Sequence, residues 1–543
     1  MTAPTVESAR ETRIFIRHSH DLPAGHEYGI WIAIAGARGR GEAGKELDNI
    51  PARLEAAFSD IASDWLELGR EMGSEPTAPL SHTPACATNV SDFGEMLAWT
   101  RIIDDLVAED ARRVLVICDD PWLFRQLATL SNVSVGAAPS LWRRRSGLFV
   151  RGYLARLVYA IRAARDTVVL RKHRVGLKKG GTWLHVYGHP QSTAAGRDGY
   201  FGDLPQQIPA IWRLLHVDCQ RARALELSEG GKIVSLRAWG SLFNALLLPF
   251  ARWRPARSHS TGPYKWLFRR AAALEGGTAQ PAALRWQILC QKAWAQDVSP
   301  EIVAWPWENH SWERQFVTVS QELGIRTLGY QHSVIGGQML NYSPRSCPAG
   351  LGSLPDNIFC TGQSTLDQLV GWGIPEARLA IGGALRFSSP AQVRYDPGSP
   401  VFVALPFDHR IAAEMVSAVM DCAEEGRIFL VRDHPMTPFE FGSNQYVRRA
   451  DGPLTMQKSV SAVLYAATTV GLEALVAGLP TLRFRSGSRL SIDIMPAGLN
   501  VPATDSRSLK TDLSRASCPA PVERGRVFAE ADLTTWRACL QTV

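Results

Sequence analysis

Clustered cysteine is the first thing this chain lacks. Its nine cysteines stand singly at 86, 118, 219, 290, 347, 360, 422, 518 and 539, with no Cys-x-x-Cys and no Cys/His group at zinc spacing. That pattern argues against a disulfide framework or a zinc module and fits reduced thiols in the cytosol. Long apolar runs are missing as well; even Leu242 to Phe250 is too short to span a bilayer. The opening MTAPTVESARETRIFIRHSHD has neither the basic start nor the apolar core of a signal peptide. There is no internal repeat and no low-complexity tract. A P-loop is also excluded: Gly39 to Lys45 has the glycine and lysine spacing, but Glu46 stands where a Ser or Thr must meet magnesium. That stretch reads as a glycine-rich surface turn.

What is present is a globular balance. With 543 residues, 45% hydrophobic and 20% charged, the chain can build two or three domains with substantial cores. Its net charge of +7 is unevenly spread. Between Leu141 and Gly180 there are twelve basic residues and one acid, Asp166, so that segment carries +11 and the remainder −4. Trp142, Leu148, Phe149, Tyr153, Leu157, Val158 and Ile161 alternate with those charges, which describes a basic amphipathic helix able to lie on anionic lipid. Ala251 to Arg270 adds six basic residues, no acid, and Trp253, Tyr264, Trp266, Leu267 and Phe268. A solvated helix or a nucleic-acid patch would share the charge. The helical recurrence of apolar residues, without any nucleic-acid motif, favours a membrane surface.

Short apolar runs alternate with helix-length intervals. Strands are expected at Ile30–Ala35, Val114–Cys118, Trp183–Tyr187, Ile302–Trp305 and Thr327–Tyr330. Further strands are expected at Ile358–Cys360, Leu379–Ile381, Val401–Leu405, Ile428–Val431, Val460–Leu464 and Thr481–Phe484. The spacing implies an α/β fold with two parallel sheets. The Pro/Gly/Ser-rich stretch Ser343 to Pro355 marks the seam. The expected division is an amino-terminal Rossmann-like acceptor domain over 1–345 carrying the basic insertions 141–180 and 251–270, a linker at 346–356, a carboxyl-terminal nucleotide-binding domain over 357–515, and a terminal helix in 516–543.

The strongest chemical signal lies late in the chain. VRDHP follows an apolar run and delivers His434 and Pro435 to a strand's carboxyl end, where open α/β sheets place their ligands. AATTVGLEALVAGLP repeats the layout, with Thr468 and Thr469 before a helix that runs through Glu473 toward Gly478. Two hydroxyls, free amides at a helix start and a nearby histidine suit a phosphate. A Thr-Thr helix start can also be nothing more than a cap.

Three other stretches place polar groups where a cleft would be. In WPWENHSWERQF, Glu308 and Glu313 sit among tryptophans, so burial should raise a carboxyl pKa toward that of a useful base. The same residues also suit a helix start, with Asn309 or Ser311 capping and Glu313 in the first turn. In LGYQHSVIGG, His332 leaves a strand beside Gln331; a lone histidine in such a place is more often a satisfied structural group. GHPQSTAAGRDGYFGDLP holds His189, Arg197, Asp198, Tyr200 and Asp203 in a glycine-rich loop, as a substrate-binding element would.

The series DGYFGDLP, PWENHSWE, GYQHS, HP and TTVGLEALVAGLP, spanning about half the chain, resembles bacterial surface-carbohydrate glycosyltransferases of the GT-B fold. The resemblance implies two Rossmann-like domains with parallel sheets facing across a cleft. His434, Pro435, Thr468 and Thr469 match the His-Pro and paired-hydroxyl motifs with which bacterial sialyltransferases and Kdo transferases hold the phosphate of a CMP-sugar. GYQHS resembles teichoic-acid glycerophosphotransferases, which implies His332 at the reaction centre. Glu473 matches the glutamate that takes nucleotide ribose hydroxyls in many GT-B enzymes. One departure stands out: the acidic pair followed by Gly, source of the sialyltransferase base, has no counterpart, since Asp119-Asp120 precedes Pro121 and Asp408 stands alone.

The implied activity is metal-independent transfer of a sugar, a CMP-activated ulosonic acid such as Kdo or a sialic-acid-like sugar, onto a surface polysaccharide or lipid-linked glycan of lipopolysaccharide or capsule type. Glu308 would take the acceptor proton, with His332 as rival, and Asp198, Tyr200, Asp203, Glu313, Gln331 and Arg386 are candidate substrate contacts. No cofactor is expected beyond the nucleotide sugar, and no nucleic acid. The expected location is cytoplasmic and peripheral, on the inner face of the cell membrane. Alternatives are a CDP-glycerol-type glycerophosphotransferase, a nucleotide-sugar 2-epimerase, and a non-catalytic glycan-binding scaffold.

Overall fold

The computed structural model describes residues 13–109, 112–174, 177, 179–387, 392–423, 427–520 and 522–541. Residues 1–12 of the opening stretch, read as lacking a signal peptide, and Lys178 fall outside those residues.

Among the described residues the chain builds three large parallel sheets, where the sequence pattern indicates two, and a two-stranded parallel pair, Arg394–Tyr395 with Ser459–Val460. The amino-terminal sheet is ordered Ile30–Ile34, Val114–Cys118, Ile14–Arg17, Val133–Val135. Helices Ile50–Gly73 and Phe93–Glu109 pack on it through Leu54, Phe58, Trp65 and Trp99. It closes a core separate from that of the sheet that follows, completed by Trp253, Leu267, Phe268 and Ala271 from later in the chain. Gly39 to Lys45 is a turn between strand and helix; the Lys45 ammonium is bonded to the Gly25 carbonyl at 2.9 Å and to Glu42 at 2.8 Å, so it offers nothing to a phosphate.

The central sheet has seven strands in the order Leu379–Ile381, Asn357–Cys360, Arg326–Gln331, Ile302–Pro306, Thr182–Val186, Trp212–Leu215, Ile233–Ser235. Asn357–Cys360 pairs in register with Leu328–Gln331, so the stretch 346–356 is a crossover inside one sheet rather than a linker between domains. The amino-terminal Rossmann-like unit therefore continues to Ile381. The chain's end returns to it as well. Helix Leu533–Leu540 buries Trp536 against Tyr330 and Phe359, and Thr182 donates to the Leu540 carbonyl at 2.6 Å.

The carboxyl-terminal sheet is ordered Val447–Arg449, Phe429–Arg432, Val401–Ala404, Ala462–Tyr465, Thr481–Phe484, Ala503–Thr504. Among the described residues every strand pairing in it and in the central sheet is parallel. In a parallel sheet all carboxyl ends share one edge, and in both sheets that edge opens on a common cleft. This is the two-Rossmann arrangement expected of the GT-B fold, with the amino-terminal module added. Ion pairs tie that module to the carboxyl-terminal unit: Glu55 meets Arg483 and Arg485, each at 2.6 Å, and Glu95 meets Arg489 at 3.2 Å.

The basic segment forms one helix, Leu141–Leu170, capped by Ser140. Among the described residues no helix is long and apolar enough to cross a membrane.

Candidate active site

The cleft has a volume of 1830 Å³ and is lined from all three units. On the central sheet, Ile302–Pro306 ends in Glu308, Arg326–Gln331 in His332, and Trp212–Leu215 in His216. Glu308 sits at a turn made possible by Asn309, whose φ of 54° is left-handed and whose short amide side chain suits that region. The turn is pinned from below. Asn309 donates to the Asn341 carbonyl at 2.7 Å, Asn341 donates back to the Glu308 carbonyl at 2.5 Å, and the buried Arg314 guanidinium donates to the carbonyls of Asn309, Asn341 and Ser346, each at 3.1 Å.

Glu308 is clamped by two histidines. Its Oε2 lies 2.9 Å from His310 Nε2 and its Oε1 3.3 Å from His332 Nε2. Its side chain is 35% exposed while those of His310 and His332 are 9% and 8% exposed, so the carboxylate is the member of the trio most open to the cleft. The tryptophan setting suggests a raised carboxyl pKa. Burial does push Glu308 up, but the hydrogen bonds and charge of His310 and His332 outweigh it and hold the group well below the usual carboxylate range. Burial lowers His310, yet its bond to Glu308 more than compensates and leaves it above its ordinary value. His82, edge-on to His310 at 5.0 Å, is lowered to about 3, first by burial and then by His310, and stays neutral.

Glu313 lies behind this trio, in the first turn of helix Ser311–Glu322, and is absent from the cleft lining. Its carboxyl accepts the Glu308 N–H at 3.0 Å, the helix-start role its position also allows. Burial first, and then the charge of Glu308, raise it to about 8. Gln331 is fully buried beneath the strand end and does not line the cleft. Asp198 is buried too, accepting from the Tyr200 and Phe201 N–H groups at 2.9 and 3.1 Å, so it shapes the loop rather than meeting a ligand. Asp203 points to Arg197 at 3.3 Å, outside the lining. Tyr200 is in the cleft, its ring 4.7 Å from His332 and 5.4 Å from the Arg386 guanidinium.

Across the cleft, three adjacent strands of the carboxyl-terminal sheet supply the other wall. Phe429–Arg432 leads to His434 and Pro435, Val401–Ala404 to Phe407 and Asp408, and Ala462–Tyr465 to Thr468 and Thr469. His434 Nδ1 accepts the Met436 N–H at 3.3 Å, which assigns the proton of the neutral ring to Nε2. Burial and then Arg386 lower its pKa, so it is a neutral donor. Thr468 Oγ1 accepts the Val470 N–H at 3.1 Å, whereas Thr469, at the start of helix Val470–Val476, makes no side-chain capping bond. Glu473 faces the same space and is pushed up to about 7 by burial, with Arg386 drawing it down. Arg386 makes no ion pair among the described residues, and its positive charge bears on His434, Glu473 and Tyr200 alike.

Asp119 and Asp120 are not at this site. Asp119 accepts from Ser19 and from the Arg38 N–H, while Asp120 caps helix Pro121–Leu127 and pairs with Arg270. Sequence reasoning missed His310 and His82. The first stands two residues after Glu308 in WENHSW and could have been noticed. His82, in a module with no recognisable motif, gave no signal. Among the described residues no group of three or more His, Cys, Asp or Glu side chains is disposed to hold a metal ion.

No protein-family model matches the chain, and no curated protein matches it. Among solved structures, it is similar to the glycotransferase of kitacinnamycin at 12% identity and a TM-score of 0.38, over 67% of this chain and 95% of that one. The UDP-GlcNAc 2-epimerase of Neisseria meningitidis bound to UDP-GlcNAc gives 12% identity and a TM-score of 0.38, over 66% and 99%. That of Methanocaldococcus jannaschii in complex with UDP-GlcNAc and UDP gives 10% identity and a TM-score of 0.36, over 64% and 96%.

Proposed function

We propose that the protein is a GT-B glycosyltransferase that moves a sugar from a nucleotide donor, CMP-linked, to a hydroxyl of a surface glycan or its lipid carrier. The observation that carries this reading is the opposition, across one cleft, of the histidine-clamped Glu308 to a cluster of Arg386, His434, Thr468, Thr469 and Glu473. The donor lies on the carboxyl-terminal sheet. Its phosphate takes Nε2–H of His434, the Thr469 hydroxyl and the charge of Arg386, and Glu473 receives the ribose hydroxyls. These donors act most strongly as the bond from sugar to phosphate breaks, because negative charge then gathers on the leaving group.

The acceptor hydroxyl approaches Glu308. A carboxylate held low is ionised throughout the neutral range but is a weak base alone, so the proton it receives passes on to the neutral imidazole of His310, whose cationic form it stabilises. No metal or further cofactor has a part in this scheme. The basic, aromatic helix Leu141–Leu170 keeps the enzyme at the inner face of a cell membrane, close to a lipid-linked acceptor.

The direct contact of His332 with Glu308 favours a second reading, a glycerophosphotransferase in which a carboxylate-oriented histidine deprotonates the acceptor. Incubation with a CMP-sugar or with CDP-glycerol, with and without a glycan acceptor, separates the two. The glycosyltransferase yields a phosphate-free product and CMP only from the first donor; the phosphotransferase leaves phosphate in its product. An epimerase would need no acceptor. Replacing His434 by Ala should cost on the order of 2 to 4 kcal/mol of transition-state stabilisation, and near-normal turnover by folded variant would remove the phosphate role.

A further inference from the structure

Helix Leu141–Leu170 carries two apolar stripes. The inward one, with Leu148, Ala160, Ala163 and Leu170, is buried in the protein. The outward one, Val150, Leu154, Val158, Ile161 and Val168, follows the helical repeat yet is 47 to 62% exposed. Helix Leu242–Leu247 packs beside it and, with the next turn, adds Phe243, Leu246 and Phe250 at 63 to 73% exposure. Exposed arginines 143, 144, 151, 162 and 165 share the same helix.

Next to this face is a second cavity, of 1690 Å³, between the first half of the helix, the segment Arg252–Ala256 and helix Lys265–Gly276. No Asp or Glu lines it. Arg145, Arg252, Arg254, Lys265 and Arg269 open into it, and none pairs with an acid among the described residues. At its base Arg156 is 3% exposed and meets no carboxylate; its Nε and Nη1 bond only the carbonyls of Pro249, Gly276 and Thr278. Burial and then the neighbouring charge of Arg252 draw its pKa down. A buried arginine beside another cation without a counter-ion calls for an anion. Trp142, Phe149 and Trp266 line the same cavity, which gives that anion an apolar companion.

We propose that this groove binds the phosphate-bearing headgroup of an anionic lipid, with the aromatic walls against the upper acyl chain and the outward stripe lying in the same membrane face. The proposal rests on the membrane-surface reading and adds a discrete site to it. It is tested by co-sedimenting the full-length protein with phosphatidylcholine vesicles, with and without phosphatidylglycerol. A groove variant, Arg252→Gln with Arg254→Gln and Lys265→Gln, is compared with an equally discharged control, Arg143→Gln with Arg144→Gln and Arg162→Gln.

At about 1 kcal/mol for each basic residue held against the phosphate, the groove variant should lose on the order of a hundredfold in affinity for anionic vesicles; the control arginines do not line the groove and meet the membrane only across solvent, at a fraction of that each, so the control should lose about tenfold or less. Arg252→Gln alone, at an exposed position, should lose about fivefold and keeps the test readable if the triple variant folds poorly. Short-chain phosphatidic acid should displace the protein from the vesicles where inorganic phosphate does not. Equal losses in the two triple variants, or equal displacement by inorganic phosphate, would overturn the groove while leaving membrane binding intact. Wild-type protein that sediments with neither vesicle would overturn the membrane reading itself.

Discussion

Glu308 and Glu313 are two carboxyls five residues apart with opposite fates, and the difference is made by their neighbours. Both are desolvated. Glu308 has two imidazoles within hydrogen-bond reach, while Glu313 has a backbone N–H and the repulsion of Glu308. Their aromatic surroundings were legible in the sequence, but the approach of the two histidines to Glu308 was not, because His332 arrives from another strand and His310 from the far side of a left-handed turn. Glu313 holds its proton in the folded protein up to about pH 8, against 4.5 ordinarily, so between those values the folded state binds more protons than the unfolded. Stability from this group therefore falls as pH rises through that window. Glu313→Gln, which cannot ionise and can still accept the Glu308 N–H, should gain on the order of 2 to 4 kcal/mol relative to wild type between about pH 5 and about pH 9. Parallel melting curves of the two proteins at both pH values check it, and a difference independent of pH would show that Glu313 is ionised in the fold.

Short elements explain most of what sequence reading found and missed. Runs such as Val401–Ala404 or Ala462–Tyr465, bounded by turn residues and buried throughout, announce themselves as central strands. Ile233–Ser235 and Val133–Val135 have three residues each, too few for a period. Trp212–Leu215 hides behind Arg213, a buried charge that serves the carbonyls of Arg197 and Thr193. The Pro/Gly/Ser-rich stretch before Asn357 looked like a domain seam because its composition suits a linker, yet it joins neighbouring strands of one sheet. Helix Val470–Val476 has only seven residues and depends on close approach: a Cβ at Gly471 would lie 2.5 to 2.6 Å from the buried Tyr465 ring. Gly471→Ala should cost about 1 to 3 kcal/mol of stability and, by shifting Thr469 and Glu473, weaken nucleotide binding more than acceptor binding. Gly487→Ala, with nothing within 4 Å of the new methyl, is the control, and equal melting points for the two variants would contradict this packing.

At the scale of the whole molecule, two parallel sheets present their carboxyl ends to one cleft, and a third module closes its side with His82 and the Glu95–Arg489 pair. The cleft's two walls were readable from motifs, since each lies at the end of a clear strand. The third module was not, because its contribution comes from the loop at His82 and the first turn of helix Phe93–Glu109, neither of which carries a motif. The division of labour between walls, nucleotide on the carboxyl-terminal sheet and acceptor at Glu308, is the central claim. Thermal melting with CMP, CDP, UDP and GDP, on wild type and on His434→Ala and Thr469→Ala, tests it most directly, because a ligand selective for the folded state raises the midpoint in proportion to its affinity. The account predicts that the cytidine nucleotides stabilise the wild type and lose most of that effect in both variants. Stabilisation by UDP or GDP alone, or by CMP equally in all three proteins, would contradict it.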